Sequence, residues 1–391
     1  MKIFILSPTS IYDRTGVGKI MRSFAENGDL FKKKTGAEVI VKDIYDCKVP
    51  KKVSKNNGLQ FKFRSWLKDI VIKTYPGAKW FVENRYFGKG KAVINYYLNG
   101  DISNDGFIFH DVYSCYSYIN YCQKENIQPK KFILVIHSNG EIFKMLCTSY
   151  PKISGTPYEK ELSIRGELCL KFASRIVFVS IKSASHFKDL YPAYRDKVSV
   201  VYNGISQDGE HSNPLFDGKI RIVTVGTVCV RKNQIALLEC VKTLSEKLDI
   251  SLTIVGGGEE LQRCIGRAKE LKIEDNVQFL GPRDDVPNIL SKSNLFVMTS
   301  LDEGLPIAGI EAMKAKLPLI LTDVGGNKEL IDGNGYLVST SIKDITNAIE
   351  KFANNINKQK SMSEQSYRLY LDKFCLESMI NGYSDLINTY L

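Results

Sequence analysis

Two acidic residues, Glu303 and Glu311, stand eight positions apart in the segment 300–313, just after a strand-like run. Gly304 and Pro306 predict a tight turn into a helix, with proline near the first helical position, where its missing N–H costs nothing. The free amides of that first turn and the helix dipole favour an anion such as a diphosphate. We expect Glu303 at the mouth of the turn and Glu311 two turns along the helix, where their carboxylates suit two hydroxyl-rich groups. Taken alone, the spacing is equally compatible with Glu303 as an exposed loop residue and Glu311 on a solvated helix face.

Two basic residues, Arg231 and Lys232, follow another strand-like run, which ends at Val225 and Gly226. Arginine and lysine together at a strand end can neutralise a departing diphosphate, an effect that grows with the leaving charge and so accelerates a transfer reaction. The alternative is a pair of exposed basic residues at the start of a helix.

The first half of the chain also has polar residues after strand-like runs. Gly16, in a Gly-x-Gly turn between the first run and a helix, would let a phosphate or an acceptor approach the backbone. His137 ends a later run, and Asn139 and Glu141 follow it, where their side chains suit the hydroxyl groups of an acceptor. A glycine turn and a lone histidine also fit purely structural roles.

Continuously apolar runs recur along the chain and predict parallel strands covered by helices on both faces. The runs of the first half are Lys2–Leu6, Val39–Asp43, Gly106–Phe109, Phe132–Ile136, Ile176–Val179 and Val198–Val201. The runs of the second half are Ile220–Val225, Ser251–Val255, Val277–Leu280, Leu295–Thr299, Leu319–Thr322 and Gly335–Val338. The pattern predicts two Rossmann-like domains, in which ligands bind beyond the carboxyl ends of the strands.

A linker between the two domains is predicted near 203–219, where an Asn-Gly turn signal precedes a polar stretch rich in glycine and proline. We therefore expect a first domain over 1–203 and a second over 204–375. The remaining segment, 376–391, is expected to form a helix that packs back on the first domain.

Length and composition agree with two globular domains, because 391 residues are too many for one ordinary core. The apolar run at the N-terminus is shorter than the core of a signal peptide, and no run reaches the 18 or so residues of a membrane span. Nine cysteines without a Cys-x-x-Cys pair indicate reduced thiols and a cytosolic protein. With four scattered histidines and no Asp-x-Asp, no metal site is predicted.

The motif Ser-x-x-Glu-Gly-Leu-Pro-x-x-x-x-Glu-Ala-Met of residues 300–313 resembles the GT4 family of GT-B glycosyltransferases. The resemblance runs through nearly all of the second half and through scattered loops of the first. It implies an α/β, GT-B fold, with two Rossmann-like βαβ domains that face each other across a cleft. It also implies a retaining glycosyltransferase that needs no metal cofactor, since the basic pair and the helix N-terminus take over that role.

The resemblance assigns roles to individual residues. Glu303 would contact the transferred sugar and Glu311 the ribose of the nucleotide, while His137 would contact the donor hexose near its reacting face. The basic pair, Arg231 and Lys232, would bind the diphosphate. The other donor-binding residues implied are Gly16, Gly226, Gly256, Arg283, Gly304, Leu305 and Ile307.

One position departs from the family pattern, because Thr227 stands where many relatives have arginine directly after the glycine. Arg231 must then supply the guanidinium from the next available position, or the basic pair is weaker than usual. The reaction implied is a front-face displacement, in which the leaving diphosphate helps to deprotonate the acceptor hydroxyl.

The expected activity is transfer of a hexose or N-acetylhexosamine from a nucleotide-diphosphate sugar to a glycan acceptor that is lipid-linked, in surface polysaccharide biosynthesis. A UDP-sugar is favoured as donor and a GDP-sugar comes next. Two alternatives stay open. One is a nucleotide-sugar epimerase built on the same two-domain plan, and the other is a nucleotide-binding assembly protein without catalytic activity.

A basic segment, 51–91, carries eleven Lys and Arg against two acidic residues, and so holds most of the net charge of +11. It also contains both tryptophans, among several other aromatic residues. Basic and aromatic side chains together suit an anionic membrane surface, with about 1 kcal/mol for each Lys or Arg. The residues chosen for membrane contact are Lys62, Arg64, Trp66, Lys68 and Trp80.

The membrane is favoured because many proteins of the resembled architecture extend lipid-linked glycans at the inner leaflet. We therefore expect a cytoplasmic protein, peripheral at the inner face of the cell membrane. Stacked bases and phosphates would suit the same side chains, although a nucleic-acid partner is the less favoured reading. A solvated basic face whose aromatic residues serve the core is the third alternative.

Overall fold

The computed structural model describes residues 1–41, 71–98, 106–138, 140–208 and 213–391. The chain divides into two compact units. The first unit comprises Met1–Val179, Ser183–Val201 and Ile380–Leu391, and the second comprises Ser180–Lys182 and Tyr202–Met379. In each unit a parallel β-sheet is covered by helices.

The sheet of the first unit has the strand order β2-β1-β3-β4-β5-β6, and all neighbouring strands run parallel. Its strands are β1 (Lys2–Leu6), β2 (Glu38–Val41), β3 (Gly106–Phe109), β4 (Phe132–Ile136), β5 (Arg175–Phe178) and β6 (Val198–Val200). The side chains of β3 and β4 are buried throughout, since helices cover both faces of the sheet. All six predicted runs are therefore confirmed as strands, with shifts of one residue at some of their ends, and the last two residues of the run 39–43 lie outside the described ranges.

The helices of the first unit follow its strands in the order expected for βα units. They are α1 (Gly16–Glu26), α2 (Gly28–Thr35), α3 (Tyr75–Val82), α4 (Gly88–Leu98), α5 (Val112–Lys124), α6 (Lys144–Ser149), α7 (Pro157–Phe172) and α8 (Ile181–Leu190), of which the first two residues of α8 are assigned to the second unit. A π-helical turn at Glu83–Phe87 joins α3 to α4. Helix α1 begins where Thr15 Oγ1 accepts a hydrogen bond from the N–H of Gly18, an N-cap that satisfies one of the free amides of the first turn.

The sheet of the second unit has the strand order β12-β11-β10-β7-β8-β9 and is also parallel throughout. Its strands are β7 (Ile220–Val225), β8 (Ile250–Val255), β9 (Val277–Gly281), β10 (Leu295–Met298), β11 (Leu319–Thr322) and β12 (Gly335–Val338). The helices that follow are α9 (Gln234–Leu244), α10 (Leu261–Glu270), α11 (Val286–Ser291), α12 (Ile307–Lys314), α13 (Ile342–Ala353) and α14 (Ile356–Leu369). The six runs predicted in this half are confirmed as well.

The last helix, α15 (Leu376–Tyr390), carries residues from Ile380 onward that belong to the first unit. Tyr383 is 1% exposed, and its ring packs edge-on against Phe24 at a centroid distance of 5.2 Å. Near the end of the helix, the ring of Tyr390 lies 4.4 Å from the guanidinium of Arg175. Aromatic burial thus fixes the end of the chain on the unit that its beginning forms.

Among the helices of the described ranges, none is both long enough and apolar enough to cross a membrane.

Candidate active site

The carboxyl edge of the second sheet brings three loops together. β10 lies between β7 and β11, and the three strands run parallel, so the segments that follow them leave the sheet at the same edge. A 3₁₀ turn at Val230–Lys232 comes after β7, and another at Gly325–Leu330 comes after β11. Between them lies the loop 299–306, which contains Glu303.

Glu303 forms an ion pair with both members of the basic pair. Its Oε1 lies 2.6 Å from Nζ of Lys232, and its Oε2 lies 3.2 Å from Nη1 of Arg231. The Glu303 side chain is 7% exposed and that of Lys232 12%, whereas Arg231 is 48% exposed and so remains accessible to a ligand. The reading of Glu303 as an exposed loop acid is therefore wrong, and the predicted acid and bases meet at one place.

Hydrogen bonds to main-chain carbonyl groups hold the acidic loop, 299–306, against the basic turn, Val230–Lys232. Nη1 of Arg231 donates a hydrogen bond to the carbonyl oxygen of Asp302 at 2.6 Å. The N–H of Leu301 donates to the carbonyl oxygen of Arg231 at 2.7 Å. Thr299 Oγ1 donates to the carbonyl oxygen of Asn233 at 2.8 Å, where Asn233 adopts the left-handed conformation that ends the turn. The ion pair is thus supported by main-chain geometry and does not depend on flexible side chains alone.

The pKa of Glu303 lies below its ordinary value. Burial raises the pKa of this carboxyl group, but the charges of Lys232 and Arg231 and hydrogen bonds from Lys232 and Ser300 together lower it by more. Glu303 is therefore ionised at neutral pH, and its negative charge offsets part of the positive charge that the two bases bring to this edge.

Helix α12 begins at Ile307, with Pro306 as its N-cap in an extended conformation. Glu311 therefore lies only about one turn into the helix, and the expectation of two turns is wrong because the segment from Gly304 to Pro306 precedes the helix. The side chains of Leu305 and Ile307 are both 6% exposed and pack inward.

Two of the predicted glycines pack against each other, and one of them lies under Lys232. A Cβ atom on Gly226 would lie 3.4 Å from Cε of Lys232, so the lysine stem passes directly over this residue. A Cβ on Gly256 would lie 1.8 Å from the carbonyl oxygen of Gly226, and the φ of Gly256 is +138°. Gly256 is thus required by the packing of the two loops and by its own backbone conformation.

Arg283, predicted beside the nucleobase, follows β9 and is exposed. It forms a bidentate ion pair with Asp285, with distances of 2.7 and 2.8 Å. The pair raises the pKa of the guanidinium and lowers the pKa of the Asp285 carboxyl. Arg283 is therefore paired with Asp285, two positions along the chain, whereas Glu303 is paired with Lys232 and Arg231.

Within the first unit, His137 forms a pair with His110. Nδ1 of His110 and Nε2 of His137 are 3.0 Å apart, and the ring planes differ by 29°. His110 is 3% exposed and also packs against Phe24. Burial lowers the pKa of His137 to about 4, and burial together with the neighbouring His137 lowers the pKa of His110 well below its ordinary value. Both rings are therefore neutral at pH 7.

The other residues predicted in the first half have separate surroundings. Gly16 is exposed and begins α1. Glu141 forms an ion pair with Lys144 at 2.6 Å, and Nε2 of His186 lies 3.7 Å away. Glu141 also lines a cavity of about 220 Å³, together with residues that include Glu159.

Some of the predicted residues fall outside the part of the chain that the structure describes. They are Asn139, Lys62, Arg64, Trp66 and Lys68. Trp80, the fifth residue chosen for membrane contact, lies on α3 and is 62% exposed.

Two glycines that sequence reasoning missed lie beside the candidate site. Gly325 and Gly326 lie in the turn shortly after β11, and the N–H of Gly326 donates a hydrogen bond to the carbonyl oxygen of Gly304 at 2.8 Å. The signal in the sequence was a glycine pair at the end of a predicted strand, next to the strand that carries the acidic motif. Its meaning depended on the strand order, which the sequence did not provide.

Within the ranges given above, no three residues of the types His, Cys, Asp and Glu are grouped so that they could hold a metal ion.

Comparison with known proteins relates this geometry to a family. Residues 207–369 match the family model described as glycosyl transferases group 1. The matched residues include the basic turn (Val230–Lys232), the acidic loop (299–306) and the glycine pair (Gly325 and Gly326). The predicted family is thereby confirmed at the level of group 1, while the narrower GT4 assignment stays a prediction.

The similar proteins include two of Escherichia coli and one of Anabaena. The O-antigen biosynthesis glycosyltransferase WbnH is 34% identical over 191 residues, which cover 49% of this chain and 53% of that protein. The UDP-Gal:alpha-D-GlcNAc-diphosphoundecaprenol alpha-1,3-galactosyltransferase is 29% identical over 207 residues, 48% of this chain and 51% of that one. HepE of Anabaena, solved in complex with UDP, superimposes with a TM-score of 0.69 at 15% identity, and the match covers 100% of both chains.

The match to HepE concerns the fold alone, and with the two parallel sheets it confirms the predicted α/β, GT-B class. The chain spans about half the length of the curated relatives that it matches. The similarity to the glycosyl transferases group 1 family thus covers the segment 207–369, which carries the candidate active site.

Proposed function

We propose that the protein is a retaining glycosyltransferase, which transfers a hexose or an N-acetylhexosamine from a nucleotide-diphosphate sugar to a glycan acceptor. The observation that carries this proposal is the buried carboxylate of Glu303, in contact with Lys232 and Arg231 at the carboxyl edge of a parallel sheet. Such an edge is where doubly wound folds bind nucleotides.

In this proposal the basic pair binds the diphosphate of the donor. Lys232 and Arg231 stabilise the negative charge that grows on the diphosphate as the bond from the sugar C1 to the phosphate oxygen breaks. A new bond forms between C1 and the acceptor oxygen on the same face of the sugar, and the acceptor proton passes to the leaving diphosphate. Glu303 holds hydroxyl groups of the sugar, Glu311 holds the ribose, and neither acts as an acid or a base.

His137 is proposed to contact the donor hexose near its reacting face. A neutral imidazole has one N–H donor and one acceptor nitrogen, and Nε2 of His137 is already engaged with His110. The remaining nitrogen, Nδ1, is then the group that binds the sugar. Because burial keeps the pKa of His137 near 4, the ring adds no charge to the donor site at neutral pH.

A UDP-sugar is the favoured donor, and a GDP-sugar comes next. Two similar proteins support UDP: HepE was solved with UDP, and the Escherichia coli galactosyltransferase has UDP-Gal in its name. The acceptor in that name, a GlcNAc-diphosphoundecaprenol, supports a lipid-linked glycan here. The O-antigen relative supports a role in surface polysaccharide biosynthesis.

A panel of UDP-, GDP- and ADP-sugars tests the activity. Each donor is incubated with the protein, with and without lipid-linked glycan acceptors, and mass spectrometry follows the transferred sugar, slow donor hydrolysis and isomerised donor. Sugar transfer is expected, whereas isomerised donor without transfer would indicate an epimerase. A protein that binds these nucleotides and turns over none of the donors would indicate an assembly role instead.

Glu303→Ala tests the site with the donor that the panel identifies. The variant should lose at least about 10²-fold in kcat/KM, since it removes a group that positions the sugar. Glu246→Ala, at an exposed glutamate of the same unit, is the matched control and should leave kcat/KM unchanged. Turnover by Glu303→Ala within about threefold of the unsubstituted protein would reject the assignment of the site.

We further propose that the basic segment contacts an anionic membrane surface on the cytoplasmic side. On its described part, Trp80 is exposed on α3, and Lys89 and Lys91 are exposed on α4. An indole ring and lysine ammonium groups suit the headgroup level of an anionic bilayer.

Flotation with liposomes that contain anionic phospholipid tests the membrane proposal, with neutral liposomes alongside. The protein should float only with the anionic liposomes, and Lys89→Glu combined with Lys91→Glu should weaken flotation. The charge-matched control changes two exposed lysines of the second unit, Lys343→Glu with Lys360→Glu, and should float as before. A protein that stays unbound in the anionic flotation contradicts the proposal.

A further inference from the structure

The glycine pair after β11 borders the acidic loop on the side away from the basic turn. In the sheet, β10 has β7 on one side and β11 on the other. The acidic loop that follows β10 is therefore flanked by the turn Val230–Lys232 and by the turn Gly325–Leu330. The first turn supplies the charges that Glu303 meets, and the second touches the backbone that carries Glu303.

The contact between the glycine pair and the acidic loop is closer than any side chain allows. A Cβ atom on Gly325 would lie 1.6 Å from the carbonyl oxygen of Glu303, and a Cβ on Gly326 would lie 2.3 Å from the carbonyl oxygen of Gly304. Gly325 also has a φ of +50°, which residues with a side chain rarely adopt. A hydrogen bond of 2.8 Å from the N–H of Gly326 to the Gly304 carbonyl joins the two segments.

This contact fixes the position of the Glu303 backbone relative to Lys232. The peptide between Glu303 and Gly304 rests on the glycine pair, and the carboxylate of Glu303 reaches Nζ of Lys232 at 2.6 Å. A methyl group on Gly325 would have to displace either that peptide or the turn itself. The displacement would be larger than the small changes in distance that a hydrogen bond tolerates. Ion-pair and ligand distances at Glu303 would change with it.

We propose that Gly325 and Gly326 are positioning residues for Glu303, which set its distance from Lys232 and Arg231 by direct backbone contact and so control the binding of the donor sugar. The proposal rests on the function proposed above for Glu303. It assigns these glycines no contact with substrate. Their effect passes through the carboxylate that they position.

Gly325→Ala is the direct test, and Gly333→Ala is its matched control. Gly333 also has a positive φ, of +74°, but a Cβ there would meet only Cγ of Gln365, at 3.6 Å. Both variants carry the cost of an unfavourable backbone conformation, and only Gly325→Ala collides with the Glu303 peptide. We expect Gly325→Ala to lower kcat/KM for the donor by about 10²-fold, and Gly333→Ala to leave it within about twofold. Equal losses in both variants would overturn the proposal.

A double-mutant cycle distinguishes positioning from a general loss of structure. If Gly325 acts through Glu303, then Gly325→Ala combined with Glu303→Gln loses no more kcat/KM than Glu303→Gln alone. Losses that multiply would show that Gly325 acts independently, and would overturn the proposal. Should Gly325→Ala fail to fold, Gly326→Ala replaces it in the same cycle, with Gly266→Ala in open space as its control.

A measurement on the ligand-free protein separates this inference from the proposed function. The ion pair between Glu303 and Lys232 exists without ligand, so Gly325→Ala and Lys232→Met should be non-additive in urea unfolding. Additive effects on unfolding would overturn the positioning role. A protein that turns over no nucleotide sugar in the panel, yet keeps this coupling, would reject the proposed function and leave the positioning role standing.

Discussion

Glu303 illustrates how charge and burial compete at a single residue. Removing a carboxylate from water raises its pKa, and two cations within 3.2 Å lower it. Because the cations prevail, the residue is buried and ionised at once. A bound diphosphate would draw Lys232 and Arg231 toward itself. The carboxylate of Glu303 could then accept hydrogen bonds from hydroxyl groups, so the ion pair of the ligand-free protein is compatible with a donor site.

The lowered pKa of Glu303 predicts how stability depends on pH. The unfolded chain takes up a proton at the ordinary carboxyl pKa, before the folded protein does, so the stability that Glu303 contributes is complete above that pKa. It is lost as the pH falls through the lower pKa of the folded state. We expect the free energy of unfolding to fall more steeply in the unsubstituted protein than in Glu303→Gln as the pH falls below the ordinary carboxyl pKa. Parallel curves, measured by urea denaturation, would contradict the ion pair.

The buried histidine pair leads to a second prediction, for His137. Its pKa of about 4 lies below the ordinary value of 6.5, so the ring stays neutral as the pH falls well below 6.5. The unfolded chain binds the proton first, and stability is therefore lost as the pH falls from 6.5 toward 4. With four histidines in the chain, NMR of selectively labelled imidazoles can resolve each ring, and His137→Gln assigns the signal. A His137 signal that titrates near its ordinary pKa would show that the ring is not buried as described.

At the scale of elements, the site depends on turns and not on helix surfaces. The basic turn, the acidic loop and the glycine pair all lie beyond strand ends, and hydrogen bonds that involve main-chain atoms join them. Loops held in this way can place charged groups accurately, because the strands beneath them are buried and fixed by their ladders. Glycines occur where two of these loops touch, since only glycine permits the approach.

Two glycines of the second unit should respond to alanine in opposite ways. At Gly256 a Cβ would lie 1.8 Å from a carbonyl oxygen, so Gly256→Ala should destabilise the protein by more than about 1 kcal/mol. Gly266 lies in helix α10 with no atom within 4 Å of its missing Cβ, and Gly266→Ala should stabilise the protein by about 0.5–1 kcal/mol. Thermal unfolding of both variants checks the pair. A destabilised Gly266→Ala would mean that the surroundings of α10 are not as open as described.

At the scale of the whole molecule, two sheets of the same kind serve different chemistry. The second unit contains the acid and both bases, and its residues match the glycosyl transferases group 1 model. The first unit carries the paired histidines at the end of its own strands. Trp80, Lys89 and Lys91 are exposed on its helices α3 and α4, in a segment that the family model does not include.

Metal removal tests whether the basic pair is sufficient for the diphosphate. Lys232 and Arg231 together carry two positive charges, which is the charge that a divalent ion would contribute to a leaving diphosphate. We expect turnover of the donor identified by the panel to stay within about twofold after treatment with EDTA. Loss of turnover that Mg²⁺ or Mn²⁺ restores would show that a metal ion takes part.

The acidic motif and the strands could be predicted because both are local. The apolar runs marked all twelve strands of the described ranges, since buried parallel strands need continuous apolar residues. The Gly-Leu-Pro turn after one of them located Glu303, and the basic residues after another located Arg231 and Lys232. The resemblance to a family rested on those same short segments.

Strand order, burial and close contacts were decided by the tertiary structure alone. Nothing local places β10 between β7 and β11, and that order is what brings Lys232 to Glu303 and the glycine pair to the peptide behind it. The pairing of His137 with His110 likewise depends on β3 lying beside β4. The amino-acid sequence by itself determined which residues stand at strand ends, because that follows from neighbours in the chain. Which of those ends meet, and at what distance, depends on contacts between segments far apart in sequence, and only the folded chain makes them.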